Sequence, residues 1–197
     1  MIAPYPLTLV GRRVVLASGS PRRRELLRLL GIEFDIVPGE VDETPQPAES
    51  PFALVARLAA AKAMAVAGGQ ASDAVVIGAD TIVDVDGAVL GKPVDVEHAH
   101  RMLRQLSGRM HYVHTGVAVV SGGSAQFGAS TTAVTFVDLT DAEIEWYVGT
   151  GEPLDKAGAY GLQGHAGIFV SSVAGSVSGV LGLPLDVLIT LLRTIAS

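Results

Sequence analysis

Val14-Val15-Leu16-Ala17-Ser18-Gly19-Ser20-Pro21-Arg22-Arg23-Arg24-Glu25-Leu26-Leu27-Arg28-Leu29-Leu30-Gly31 reads as a strand, a turn and a helix in direct succession. Val14 to Ala17 is a short apolar run, the pattern of a strand buried on both faces. Ser18-Gly19-Ser20 turns the chain. Ser20 followed by Pro21 is a helix start, because a serine hydroxyl caps free N–H groups and proline's fixed φ suits the first helical position. Gly31 closes the helix. Leu26, Leu27, Leu29 and Leu30 form its apolar stripe. Spacings of three and four put Arg22 and Arg23 on the side of that stripe, with Arg24 and Arg28 facing away. Two arginines thus project inward beside unpaired backbone N–H groups and the hydroxyls of Ser18 and Ser20. That combination suits an anion. The plainer alternative, arginines merely decorating a helix start, is disfavoured because cations are repelled by the positive end of a helix.

Working outward, Ile32, Phe34 and Ile36 alternate with acids, predicting a half-exposed strand. Residues 38–50 are rich in Pro, Glu and Asp and form a loop. Ser50-Pro51 repeats the start signal and opens a long Ala-rich helix ending at Gly68-Gly69. Ala74 to Ala79 is a second buried strand with Asp80 at its end, and Asp86-Gly87 marks a hairpin between 81–85 and 88–90. Asp95 caps a helix over 96–107. Strands follow near 112–120 and 126–137, joined at Gly122-Gly123. Thr140 and Glu143 form a capping box for another helix. Glycines 158, 161, 164 and 167 mark an irregular loop, 169–180 reads as a hairpin, and Pro184 starts the last helix. Early αβ alternation followed by paired strands implies an α/β protein with an elongated mixed β-sheet and flanking helices, in two lobes around a cleft. Residues 1–12 read as an N-terminal arm and 13–197 as a single domain.

Composition narrows the function. The chain has 197 residues, 49% hydrophobic and 17% charged, enough for a sizeable core. It contains no cysteine, so thiol nucleophiles and zinc ribbons are out. A net charge of −6 and no long basic run argue against a nucleic-acid partner. No apolar run approaches the roughly 20 residues of a membrane span. The expectation is a soluble, cytoplasmic protein with no membrane partner.

Several further side chains could carry chemistry. Lys62 lies on the apolar stripe of its helix, four residues after Leu58, so it must snorkel out or meet an anion. Asp80, at the carboxyl end of a buried strand, can hold a divalent cation or take a proton from water; a capping aspartate is the equal alternative. Asp42 and Glu43 offer a second metal ligand, against the simpler reading of solvated loop charges. Lys92 sits on the ordered Gly91-Lys92-Pro93 turn. The Gly-rich stretch through Gln163 could approach a ligand with its backbone, yet no P-loop or dinucleotide fingerprint is present. The histidines have no zinc-ligand spacing, and His111 and His114 read as structural.

Leu16 to Arg23, Gly78-Ala79-Asp80-Thr81, Gly91-Lys92-Pro93 and Leu154-Asp155-Lys156-Ala157-Gly158-Ala159-Tyr160-Gly161-Leu162-Gln163-Gly164 together resemble the Maf family, in that family's order. The resemblance runs from about Val14 to the last helix. It implies a fold related to inosine triphosphate pyrophosphatases, a homodimer, and Mg2+- or Mn2+-dependent hydrolysis of a nucleoside triphosphate between the α and β phosphates. It also implies that Asp80 is the proton acceptor, with Arg23, Glu43, Lys62 and Lys92 as polar cleft residues. Arg22, Thr81 and Gln163 match positions of substrate choice, in the form of the subgroup that prefers dTTP and UTP. The expected site is Asp80 as catalyst, Asp80 and Glu43 on the metal, and Ser18, Ser20, Arg22, Arg23, Lys62, Thr81, Lys92 and Gln163 on the substrate. Two alternatives are a pyrophosphatase for modified purines such as 7-methyl-GTP and a nucleotide-binding regulator of cell division without turnover.

Overall fold

The structure, a computed structural model, describes residue 9 and residues 11–196. Most of the expected N-terminal arm lies outside them. Seven strands form one mixed sheet: β1 (Val14–Leu16), β2 (Asp35–Ile36), β3 (Val75–Val85), β4 (Ala88–Leu90), β5 (Met110–Ser121), β6 (Ser124–Phe136) and β7 (Val170–Ala174). Their order is β2-β1-β3-β5-β6-β7, with β4 paired to β3. Only the β1–β2 and β1–β3 pairs are parallel. The helices are α1 (Pro21–Leu29), α2 (Pro51–Ala67), α3 (Val96–Leu106), α4 (Asp141–Gly149), the single turn α5 (Val177–Val180) and α6 (Leu185–Ala196). The caps are those the sequence announces: Ser20, Ser50 and Asp95 each accept from a backbone N–H, and Thr140 and Glu143 form the reciprocal box.

Four expectations need correction. First, β3 does not end before Asp80. It runs unbroken to Val85, because β5 pairs with it residue for residue from Val76 to Asp84. Second, the strand at 32–36 shrinks to two residues, since its partner β1 is only three long and Ile36 has nothing outside it. Third, 169–180 is not a hairpin. β7 pairs with β6, and Ser176 then caps α5, its hydroxyl accepting from Gly179 N at 3.1 Å. Fourth, Leu29 is 74% exposed, so the buried stripe of α1 is Leu26, Leu27 and Leu30. Arg23 continues that stripe toward the helix start.

Alternation along β3 sorts its side chains. Val75, Ile77 and Ala79 pack with Leu26, Leu27, Leu183, Leu188 and Leu192 from α1, α6 and the turn before it. On the opposite face Val76 packs with Ala59, Ala63 and Val66, and Ile82 with Leu54, Val55 and Leu58, all from α2. Val83 and Val85, at the far end of β3, belong to a separate cluster with α3, α4 and the aromatic rings of Phe136, Tyr147 and Phe169. Asp80 and Thr81 lie between these packed regions.

Helix α2 rests flush on the sheet because two glycines sit beneath it. A Cβ on Gly78 would fall 2.8 Å from Ala63 N, and one on Gly116 would fall 2.5 Å from Val55 C. Both are backbone atoms that cannot swing aside.

His111 and His114 are structural, as expected. His114 pairs with Thr131 at 2.9 Å. His111 is fully buried, 2.8 Å from the Tyr160 hydroxyl, and burial pushes its pKa down to about 4. The unfolded chain binds this proton near pH 6.5, whereas the folded protein holds the ring neutral, so the stabilisation is full above about pH 6.5 and is lost as pH falls toward 4. The contribution is on the order of 3 kcal/mol. Urea titrations at pH 7 and pH 4.5 should therefore show a smaller fall in stability for His111→Gln than for the unaltered protein. An equal fall would mean that His111 does not couple protonation to folding.

Candidate active site

The cleft follows from where β1 stops. β1 covers one edge of β3 from Val75 to Ile77, and β4 takes up that edge again at Val83. Between them the edge has no strand partner among the described residues, and the side chains of both faces reach a common space. That space is a cleft of about 710 Å³. Ligands in open α/β sheets collect in such a crevice beyond the carboxyl end of a parallel strand. Here that strand is β1, not β3.

On the α2 face, Lys62 stands over Asp80. Its ammonium lies 2.6 Å from Asp80 Oδ1 and 2.5 Å from Glu43 Oε1. A lysine on an apolar stripe has met its anions, two carboxylates converging on one point. The loop reaches α2 through Gly39, where a Cβ would fall 2.5 Å from Lys62 O. Asp42, the other candidate ligand, turns away: its carboxylate accepts from Thr44 N at 2.9 Å and does not line the cleft. Asp80 is almost fully buried. Burial pushes its pKa above the ordinary carboxylate value; Lys62 and Arg23 oppose that shift and Glu43 adds to it.

On the α1 face, Arg23 enters the cleft from the first helical turn. Its Nη1 donates to Ser18 Oγ at 3.0 Å, its Nη2 to Thr81 Oγ1 at 3.1 Å and its Nε to the Gly182 carbonyl at 2.8 Å. Burial lowers its pKa, with the Asp80 charge opposing. Ser18, Ser20 and Arg22 line the same wall, and exposed Lys92 lines the cleft beyond β4. Arg24 is outside the lining, as its helical phase predicts, but it is half-buried rather than solvated.

One expected residue is elsewhere. The lining of the cleft reaches Leu162, while Gln163 is exposed and outside it. Three 3-10 turns shape this segment, and Gly161 lies in the lining of the cleft. Glu152 ties it down: its carboxylate accepts from the Tyr147 hydroxyl at 3.0 Å and from His165 N at 3.0 Å.

Sequence reasoning also missed residues. Asp155 lines the cleft near Arg22 and pairs with Lys156 at 2.6 Å. The motif 154–164 contains it, so the signal was present. Thr115, bonded to Thr81, left no signal, because a threonine in a strand is ordinary.

A cluster of cationic groups beside a helix N-terminus can hold a polyphosphate. The two converging carboxylates form a donor set for a hard divalent cation. Mg2+ is commonly held by one or two carboxylates together with substrate phosphates. Among the described residues no group of three or more His, Cys, Asp or Glu could hold a metal by itself. Asp80 and Glu43 therefore fit a metal whose remaining ligands come from substrate and water.

Comparison with known proteins points the same way. The sequence profile of the family described as Maf-like protein matches residues 13–195. A dTTP/UTP pyrophosphatase of Anaeromyxobacter dehalogenans (strain 2CP-C) is 55% identical over 92% of this chain and 93% of its own. The dTTP/UTP pyrophosphatase of Symbiobacterium thermophilum is 52% identical over 88% of this chain and 89% of its own. Among solved structures, the Staphylococcus aureus Ham1 protein shares the fold, with a TM-score of 0.55 at 14% identity over 93% of this chain and 99% of that one.

Proposed function

Since the chain belongs to the Maf family, we propose that it hydrolyses dTTP and UTP to the nucleoside monophosphate and pyrophosphate. The observation that carries the chemistry is the Lys62 ammonium gripped by Asp80 and Glu43 beside the Arg23 wall. It brings into one cleft a buried carboxylate, a second carboxylate able to join it on a metal, and cations suited to a polyphosphate.

In this reading Ser18, Ser20, Arg22, Arg23 and Lys92 take the phosphates. Lys62 orients Asp80 and presents its charge to the same anion. Asp80 accepts the proton of the attacking water as its oxygen bonds to phosphorus and the α–β anhydride bond breaks, pyrophosphate being the leaving group. A divalent cation on Asp80 and Glu43 would neutralise phosphate charge and polarise the bond under attack. No covalent nucleophile is needed, because such reactions are driven by positioning and electrostatics. Gln163, exposed and outside the lining, has no role in this account.

A regulator that binds nucleotide without turnover has no need of a buried carboxylate opposite its phosphate donors, so Asp80 favours an enzyme. Cytoplasmic location, expected from the composition, and a homodimer, implied by the family resemblance, belong to the same proposal; no helix among the described residues is long and apolar enough to cross a membrane. The test is pyrophosphate release from dTTP, UTP, CTP, ATP, GTP and 7-methyl-GTP with and without Mg2+ or Mn2+. Metal-dependent release, fastest with dTTP and UTP, is expected. A purine preference would overturn the substrate assignment, and no release from any would favour the regulator.

A further inference from the structure

Asp80 is fixed by β3, but Glu43 belongs to a loop, since no helix or strand lies between Ile36 and Pro51. Among the described residues, the stretch 38–45 makes no main-chain hydrogen bond to the sheet or to α2. The Glu43 side chain is 62% exposed, yet its carboxylate meets the Lys62 ammonium. Something other than regular structure aims it there. Val41 seats the loop against Leu54, Val55, Leu58 and Ile82. The residues on either side of Glu43 are then tied by polar contacts. Asp42 turns back on Thr44 N at 2.9 Å, and the Thr44 carbonyl accepts from Arg57 Nη2 at 3.1 Å.

Arg57 is itself held by Glu49, further along the same loop. Its Nε donates to Glu49 Oε1 at 2.7 Å and its Nη2 to Glu49 Oε2 at 2.8 Å, a guanidinium fork closed on a carboxylate. Glu49 Oε2 also accepts from Gln46 N at 3.0 Å. One guanidinium on α2 thus grips the loop at both Thr44 and Glu49. Arg57 is outside the cleft lining. We propose that Arg57 is a positioning residue for the metal: by holding the Thr44 carbonyl, it keeps the Glu43 carboxylate converged with Asp80. This inference rests on the reading above, in which Asp80 and Glu43 share a divalent cation.

Charge and grip make opposite predictions for this side chain. The Arg57 charge acts on Asp80 as well as on Glu49 and Asp42. A nearby cation repels a second one, so removing the charge alone would tighten metal binding. Removing the grip would let Glu43 drift, and metal binding would weaken. Lysine keeps the charge, but its single ammonium cannot reproduce the fork on Glu49 together with the Thr44 contact.

The test reads the factor by which saturating Mn2+ tightens calorimetric binding of α,β-imido-UTP. By linkage, that factor is the protein's own contribution to holding the ion beside the nucleotide. It is compared in the unaltered protein, Glu43→Gln, Arg57→Ala, Arg57→Lys and the double variant Glu43→Gln/Arg57→Ala. Each single variant should lower the factor roughly tenfold, the scale of losing a group that orients a metal ligand. The double variant should fall no further than Glu43→Gln, because Arg57 acts through Glu43. A factor unchanged or raised in Arg57→Ala, retained in Arg57→Lys, or lowered again in the double variant would overturn the inference. General damage to the loop would weaken binding equally with and without Mn2+, leaving the factor unchanged, and so counts against it. If Glu43→Gln lowers the factor and Arg57→Ala does not, the inference fails alone. An unchanged factor in Glu43→Gln would instead overturn the metal reading of Glu43, and the part played by Arg57 with it.

Discussion

Asp80→Asn is expected to lower turnover about a thousandfold while changing nucleotide affinity by less than about tenfold. Asparagine has nearly the same shape but cannot take a proton from water, and it is a poor ligand for a hard cation. The phosphate cradle is built from other groups: Arg23 remains fixed by Ser18, Thr81 and Gly182, and Lys62 keeps Glu43 as a partner. The loss should therefore appear in kcat, with binding largely preserved. Steady-state kinetics beside calorimetric titration of an α,β-imido nucleotide separates the two. Near-normal turnover would remove Asp80 from the mechanism, and a collapse of binding would make it part of the cradle instead.

Gly116→Ala is expected to destabilise the protein by about 3 kcal/mol, a fall of roughly 10 °C in Tm. Gly116 pairs directly with Asp80 across β3 and β5, on the face covered by α2. A methyl there meets the backbone of Val55 and Ala56, which is fixed by the helix. The helix must lift, and Lys62, carried two turns further on, lifts with it. Activity should fall together with stability, in contrast to Asp80→Asn. Thermal melts of the two variants side by side read this out, and an unchanged Tm in Gly116→Ala would mean that α2 does not rest on the sheet as described.

The elements of this fold are legible from local chemistry. Serine and aspartate caps, prolines at helix starts, the Asp86-Gly87 turn and apolar runs act over a few residues, so the sequence displays them directly. Tertiary pairing is less visible. Nothing local says that β5 will zip β3 into one continuous strand through Asp80, so the sequence singles out the residue but points to the wrong strand end for the cleft. The stretch 169–180 reads as a hairpin, yet the capping hydroxyl of Ser176 and the positive φ of Gly175 turn its second half into α5. Exposure of Leu29 follows from what does not pack against α1, an absence no periodicity records.

The site divides in the same way. Arg23 and Lys62 stand out as cations on the apolar side of their helices and Asp80 as a carboxylate ending a buried apolar run, and the cleft brings all three together. Glu43 could be separated from Asp42 only by the loop geometry that aims one at Lys62 and folds the other back on Thr44. Gln163 belongs to a motif whose neighbours reach the cleft while it does not. Thr115 shows the limit most clearly. Its place beneath the cleft rests on two contacts, one to a strand neighbour and one to a turn 64 residues away, and both exist only in the folded chain.

The central claim is α–β cleavage of a pyrimidine triphosphate in the Asp80 cleft. Phosphorus NMR of UTP incubated with the protein and Mg2+ tests it most directly. The account predicts UMP and pyrophosphate growing in equal amounts from the first time point, with neither product in Asp80→Asn. Orthophosphate and UDP as the first products would contradict it.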